Sequence, residues 1–126
     1  INVVVQRLSL FDLRDLYARS SVVVMPLVDV DFQAGITTIL EAMAMGRPIV
    51  CTRTPGQTDT IVDGETGVYV PPGDPVALRD AIQRLIDDRD QARRLGDAAR
   101  RWVVAHADIE VYARFLDGVV EQVAPA

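Results

Sequence analysis

Apolar positions along the chain fall into two habits: short unbroken β-branched runs, and longer stretches in which they recur every three or four residues. The runs predict strands and the recurrences predict helices. Asn2–Gln6 (NVVVQ) is the first run. Ser9 then stands as an N-cap with Asp12 in the capping-box position, and Leu10, Leu13, Leu16 and Tyr17 stripe the helix it opens. Ser21–Pro26 (SVVVMP) is continuously apolar and ended by proline, which predicts a strand buried on both faces. After the Asp-bearing loop Leu27–Ala34, a helix runs from about Ile36 to Met45 and stops at Gly46, a natural C′ residue. Pro48–Thr52 reads as the third strand, Thr54–Gln57 as a turn, Thr58–Val62 as a short helix, Asp63–Gly67 as a turn and Val68–Val70 as the fourth strand. Asp74 and Pro75 open a long helix as N-cap and first helical residue, with Leu78, Ala81, Ile82, Leu85 and Ile86 at helical spacing. Two more helices follow, about Asp90–His106 and Asp108–Val123.

Strands alternating with helices predict an α/β fold: a Rossmann-like parallel sheet of about four strands, helices on both faces, and further helices at the C-terminal end. Ligands of such sheets bind beyond the carboxyl ends of the strands. The loop Leu27–Ala34 leaves one of those ends, so the stretch DFQAGITTILEAMAMGRP that contains it draws attention.

Within that stretch, Gly35 lets the backbone approach a ligand closely. The amides of Ile36, Thr37 and Thr38 lie in a first helical turn, where donors are unpaired and an anion such as phosphate is favoured. The two threonine hydroxyls add donors. Every helix start has such amides, so an ordinary helix N-terminus explains them equally. Glu41 interrupts an apolar helix, between Leu40 and Ala42-Met43-Ala44. A buried carboxylate needs a partner, and two hydrogen bonds to a ribose diol would supply one. A place on a solvated stripe is the other explanation, because Ile36, Ile39, Leu40 and Met43 already make a core face.

Composition narrows the classes. The 126 residues suit one domain, and 49% apolar with 25% charged residues is ordinary for a soluble globular chain. A net charge of −5 argues against a nucleic-acid surface. All 13 basic residues are arginine, which rules out a P-loop lysine and a Schiff-base lysine. The one cysteine, Cys51, has no internal partner, which points to a reducing, cytoplasmic location. No residue set suggests a metal or a bound cofactor. The mixed Arg/Asp surface of the later helices is a solvated face that would touch anionic lipid only weakly, as a peripheral contact at the inner membrane face. The absence of an initial Met and the immediate strand suggest a piece of a longer protein.

Three segments together resemble the retaining family 4 glycosyltransferases: LEAMAMGRPIV, the turn DTIVDGETG, and the lead-in Asn2–Pro26. The resemblance implies the GT-B fold, in which two Rossmann-like domains bind acceptor and sugar-nucleotide donor. It identifies residues 1–126 as a single partial domain, most of the C-terminal donor-binding half. The N-terminal acceptor domain and a basic diphosphate-binding pair would then lie upstream. The family signature is two glutamates with seven residues between them. By that resemblance Glu41 is the second and binds the donor ribose, while the amides of Gly35, Ile36, Thr37 and Thr38 hold the diphosphate and sugar hydroxyls. The first glutamate falls on Gln33, which keeps the reach but loses the charge that would assist the anomeric centre. Asp31 is the nearest replacement for that charge. The implied reaction is retaining transfer from a nucleoside diphosphate sugar, with no metal and no turnover by the fragment alone.

Other residues have simpler readings. Cys51 is expected to be a small core residue, and His106 to end a helix favourably. Arg53 reaches toward the strand ends or solvent, and Asp59, standing for a family glutamate, orders its turn. Trp102, Tyr112 and Phe115 are expected to pack the last two helices together. Against the transferase stand a sugar-nucleotide epimerase, which needs acid and base residues not found here. A receiver-type module needs a lysine. A catalytically dead scaffold has only Gln33 in its favour.

Overall fold

The computed structural model describes residues 2–57 and 59–123. Three strands, β1 (Val23–Met25), β2 (Ile49–Thr52) and β3 (Val68–Val70), form a sheet in the order β1-β2-β3. Both pairings are parallel, with Val24 opposite Val50 and Cys51 opposite Tyr69. Among the described residues five helices accompany them: α1 (Leu10–Arg19), α2 (Ile36–Ala44), α3 (Pro75–Asp87), α4 (Arg89–His106) and α5 (Ile109–Val123).

The central strand β2 is buried along its whole length and its side chains alternate between two cores. Ile49 and Cys51 join Tyr17 of α1, Ile39, Ala42 and Met43 of α2, and Ala99 of α4. Val50 faces the other way, with Val68, Val70, and Ala81 and Leu85 of α3. Helices therefore cover both faces of the sheet, as a parallel arrangement requires. Cys51 is a fully buried free thiol, and that burial pushes its pKa up to about 11.

Local signals place several helix ends. The Ser9 hydroxyl accepts from the Asp12 amide and donates to the Asp12 carboxylate at 2.7 Å. Asp74 accepts from the Ala77 amide at 2.9 Å, with Pro75 as the first helical residue. At the end of α2, Gly46 N–H donates to Met43 and Arg47 N–H to Ala42, both at 2.9 Å, closing a Schellman motif.

Four expectations change. Asn2–Gln6 is no strand: a strand exists only where a neighbour supplies its ladder, and this segment pairs with none of the described strands. Val3, Val4 and Val5 are exposed, and among the described residues the sheet has three strands, close to the expected four. β1 is half-buried, because among the described residues it is an edge of the sheet. No helix forms over residues 59–62, and Thr58, where that helix would start, lies outside the described residues. Trp102 packs against the core, but Tyr112 and Phe115 are 56% and 65% exposed, and α5 buries none of its residues.

Candidate functional site

Three connections leave the carboxyl ends of β1, β2 and β3 on one side of the sheet. Pro26–Asp29, Thr52, Val70–Asp74 and Leu78 of α3 line a cavity of about 580 Å³ there. The loop after β1 turns back into α2 through Gly35, whose φ of 69° is left-handed. A Cβ at that position would also overlap the Met25 methyl group. The left-handed turn thus favours glycine before any ligand is considered, while the Met25 methyl, the end of a flexible side chain, could move aside. The first intrahelical bond of α2 runs from Ile39 N–H to Gly35 C=O at 3.1 Å. The amides of Ile36, Thr37 and Thr38 precede it, in the first turn, where a helix supplies no partner of its own. Thr37 is exposed, and Ile36 and Thr38 are half-buried.

Glu41 is half-buried on the α2 face that meets α1. The Tyr17 hydroxyl donates to Glu41 Oε2 at 3.0 Å. Burial, then the hydrogen bond and charge of Glu41, raise the Tyr17 pKa above its ordinary value, with the Thr38 hydroxyl opposing. Tyr17 therefore stays a proton donor at neutral pH. Leu10, Leu13, Arg14, Tyr17, Ala44 and Met45 surround the carboxylate in a small cavity of about 220 Å³. Tyr17 reads in sequence as one more member of a leucine stripe; a hydroxyl in that stripe was the available signal.

Gln33 sits on the other side of Gly35, exposed, and its Nε2 donates to Thr60 Oγ1 at 3.2 Å. Asp31 is exposed on the same loop. A second glutamine supports this loop from below: the buried Gln57 side chain donates to the Ala34 carbonyl, and the Gln57 main-chain carbonyl accepts from the Tyr69 hydroxyl at 3.0 Å. Gly56 packs so closely that a Cβ would overlap the Phe32 carbonyl. Neither Gln57 nor Gly56 was singled out by pattern, since both sit in what reads as a plain turn. The structure thus sets Gly35 against Met25 and Leu27 at the end of β1 and ties Gln33 to Thr60, while Glu41, about one and a half turns into α2, faces α1.

Arg53 is committed elsewhere. It pairs with Asp63 at 2.9 Å and lies over the Tyr69 ring, 4.4 Å from its centroid. The turn Asp63–Gly67 is ordered by Asp63, which accepts from the Tyr69 amide, and by Thr66, which accepts from the Val62 amide. Asp59 is exposed. His106 donates from Nδ1 to the Trp102 carbonyl and stacks on its ring at 4.9 Å.

A parallel sheet covered by helices on both faces, with a cavity at its strand ends, defines a domain of the α/β class. The chain belongs to the glycosyl transferases group 1 family, whose sequence profile matches residues 2–88. It is 38% identical over 88 residues to the D-inositol 3-phosphate glycosyltransferase of Corynebacterium diphtheriae, covering 70% of this chain and 20% of that protein. Its fold superposes on sucrose-phosphate synthase from Thermosynechococcus elongatus with a TM-score of 0.74 and 34% identity, over 85% of this chain and 26% of that one. Anabaena Alr3699/HepE, solved in complex with UDP, shares the fold at a TM-score of 0.76 and 20% identity, over 86% of this chain and 29% of that one. The chain spans about a fifth of the length of the curated relatives it matches. Among the described residues no helix is long and apolar enough to cross a membrane.

Proposed function

We propose that this chain is the donor-binding part of a retaining glycosyltransferase that uses a nucleoside diphosphate sugar. The observation that carries this reading is the α2 start. A left-handed Gly35 beside the end of β1 opens α2 with no side-chain cap, leaving the Ile36–Thr38 amides for a ligand, in a chain of the glycosyl transferases group 1 family. These amides and the threonine hydroxyls hold the diphosphate and stabilise the negative charge that develops on it as it leaves. Glu41 takes the ribose. Gln33 and Asp31 border the transferred sugar. The acceptor is held by a further N-terminal domain of the whole protein, so the chain by itself turns over no substrate. The reaction belongs in the cytoplasm, where nucleotide sugars and a free Cys51 thiol coexist, with at most a peripheral contact at the inner membrane face.

The test is calorimetric titration of the full-length protein and of this chain with UDP, GDP and their glucose and mannose conjugates. Binding of one nucleotide with its conjugate by the full-length protein is expected, with turnover only there. Failure of every nucleotide to bind the full-length protein would sink the proposal. Gln33 favours a second reading, a domain that binds the donor but does not catalyse transfer. Donor binding by the full-length protein without transfer to any acceptor would favour it.

A further inference from the structure

We infer that Tyr17 is a positioning residue for Glu41, its hydroxyl holding the carboxylate in the orientation that receives the donor ribose. The inference rests on the ribose role proposed for Glu41 and adds the residue that makes that role effective. The bond between Tyr17 and Glu41 Oε2 joins two helices across 24 positions of sequence at 3.0 Å. Tyr17 is only 8% exposed, so its ring is fixed by the core it shares with Ile39, Ala42 and Met43. Packing alone would be served equally by phenylalanine. What tyrosine adds is a donor aimed at the one acidic side chain of α2.

That donor matters because of what surrounds Glu41. Leu10, Leu13, Ala44 and Met45 offer the carboxylate nothing. Arg14 lines the same cavity but spends its guanidinium on Asp15, at 3.0 Å. A glutamate with three free torsions beside an apolar wall would swing toward water. Pinned through Oε2, it keeps Oε1 and a remaining lone pair of Oε2 free, the number needed for two vicinal hydroxyls. A diol is recognised well only by a carboxylate whose plane is already set, since the ordering cost is then met before the ligand arrives.

The experiment measures affinity of the full-length protein for UDP and GDP and for their 2′-deoxyribose counterparts. The wild type is expected to prefer the ribose form of its nucleotide about ten-fold. In Tyr17→Phe that preference should shrink to about three-fold or less, while affinity for the 2′-deoxy form stays unchanged. Glu41→Gln should abolish the preference, and the double variant should be no worse than Glu41→Gln alone. A Tyr17→Phe protein that keeps the full preference, or that weakens both forms equally, overturns the positioning role. Should that variant prove unstable, the same comparison with Tyr17→Trp, which keeps a ring and a donor displaced from Glu41, decides on the preference alone. A wild type without ribose preference, or one that Glu41→Gln leaves intact, overturns instead the ribose role on which the inference rests.

Discussion

Glu41 and Gln33 flank Gly35 and are held by opposite means. Glu41 rises from a helix whose Ile39, Ala42 and Met43 have no exposed surface, and a buried tyrosine fixes its carboxylate. Gln33 rides on a loop, exposed, tied to Thr60 by one neutral hydrogen bond and supported by the close approach of Gly56 and by Gln57. One wall of the site is set by core packing and the other by a few polar contacts in water. In the proposed function the first wall takes the ribose, and the second carries Gln33 where the family resemblance implies a glutamate.

The largest expected effect breaks the rigid wall. Met43→Ala removes a fully buried side chain and should cost about 2–5 kcal/mol in urea unfolding. A loss well under 1 kcal/mol would show that α2 is not the anchored element. Gly56→Ala attacks the loop wall instead. The added methyl displaces the Phe32 carbonyl, and a loss of about 1–3 kcal/mol is expected. Amide exchange should then accelerate at residues 30–34 and stay slow in α2; acceleration in both would erase the distinction between the walls.

Third in size is restoration of charge on the loop. Gln33→Glu in the full-length protein should raise the transfer rate about ten-fold or more, with donor affinity little changed. Asp31→Asn should lower the rate of the parent protein. Unchanged rates in both variants mean that neither residue acts on the anomeric centre. The smallest effect is one of pH. The folded Tyr17 pKa lies above the unfolded value of 10.0, so the stability this contributes is complete below about pH 10 and is lost as pH rises through the folded value. The buried Cys51 adds a loss of the same sign, between its unfolded value of 9.0 and its folded value of about 11. Alkaline titration of unfolding should therefore be flatter in Tyr17→Phe than in the parent, while Gln33→Ala leaves its slope unchanged.

Much of the fold is legible in the chain because its signals are local. Ser9, Asp74 and Gly46 mark helix ends through bonds within four residues of themselves, and each end lies where the pattern puts it. The apolar runs at 23–25, 49–52 and 68–70 become parallel strands, and the helices cover both faces. The run Asn2–Gln6 carries the same β-branched signal and stays unpaired, since composition cannot supply a neighbouring strand. Burial of Tyr112 and Phe115 fails for the same reason: helical spacing states which residues share a face, not what covers it.

The site divides along this line. Sequence by itself determined the α/β class, the helix start at Gly35, the spacing of Gln33 and Glu41 and, through ordered motifs across most of the chain, the family. Those features are written in residues near one another. Only the tertiary structure decided that Glu41 turns toward Tyr17, that Gln33 meets Thr60, that Arg53 is taken by Asp63 and Tyr69, and that Gly56 and Gln57 support the loop. Each of these is a contact between separate elements, and a side chain's partner is set by how those elements pack, which no local pattern records.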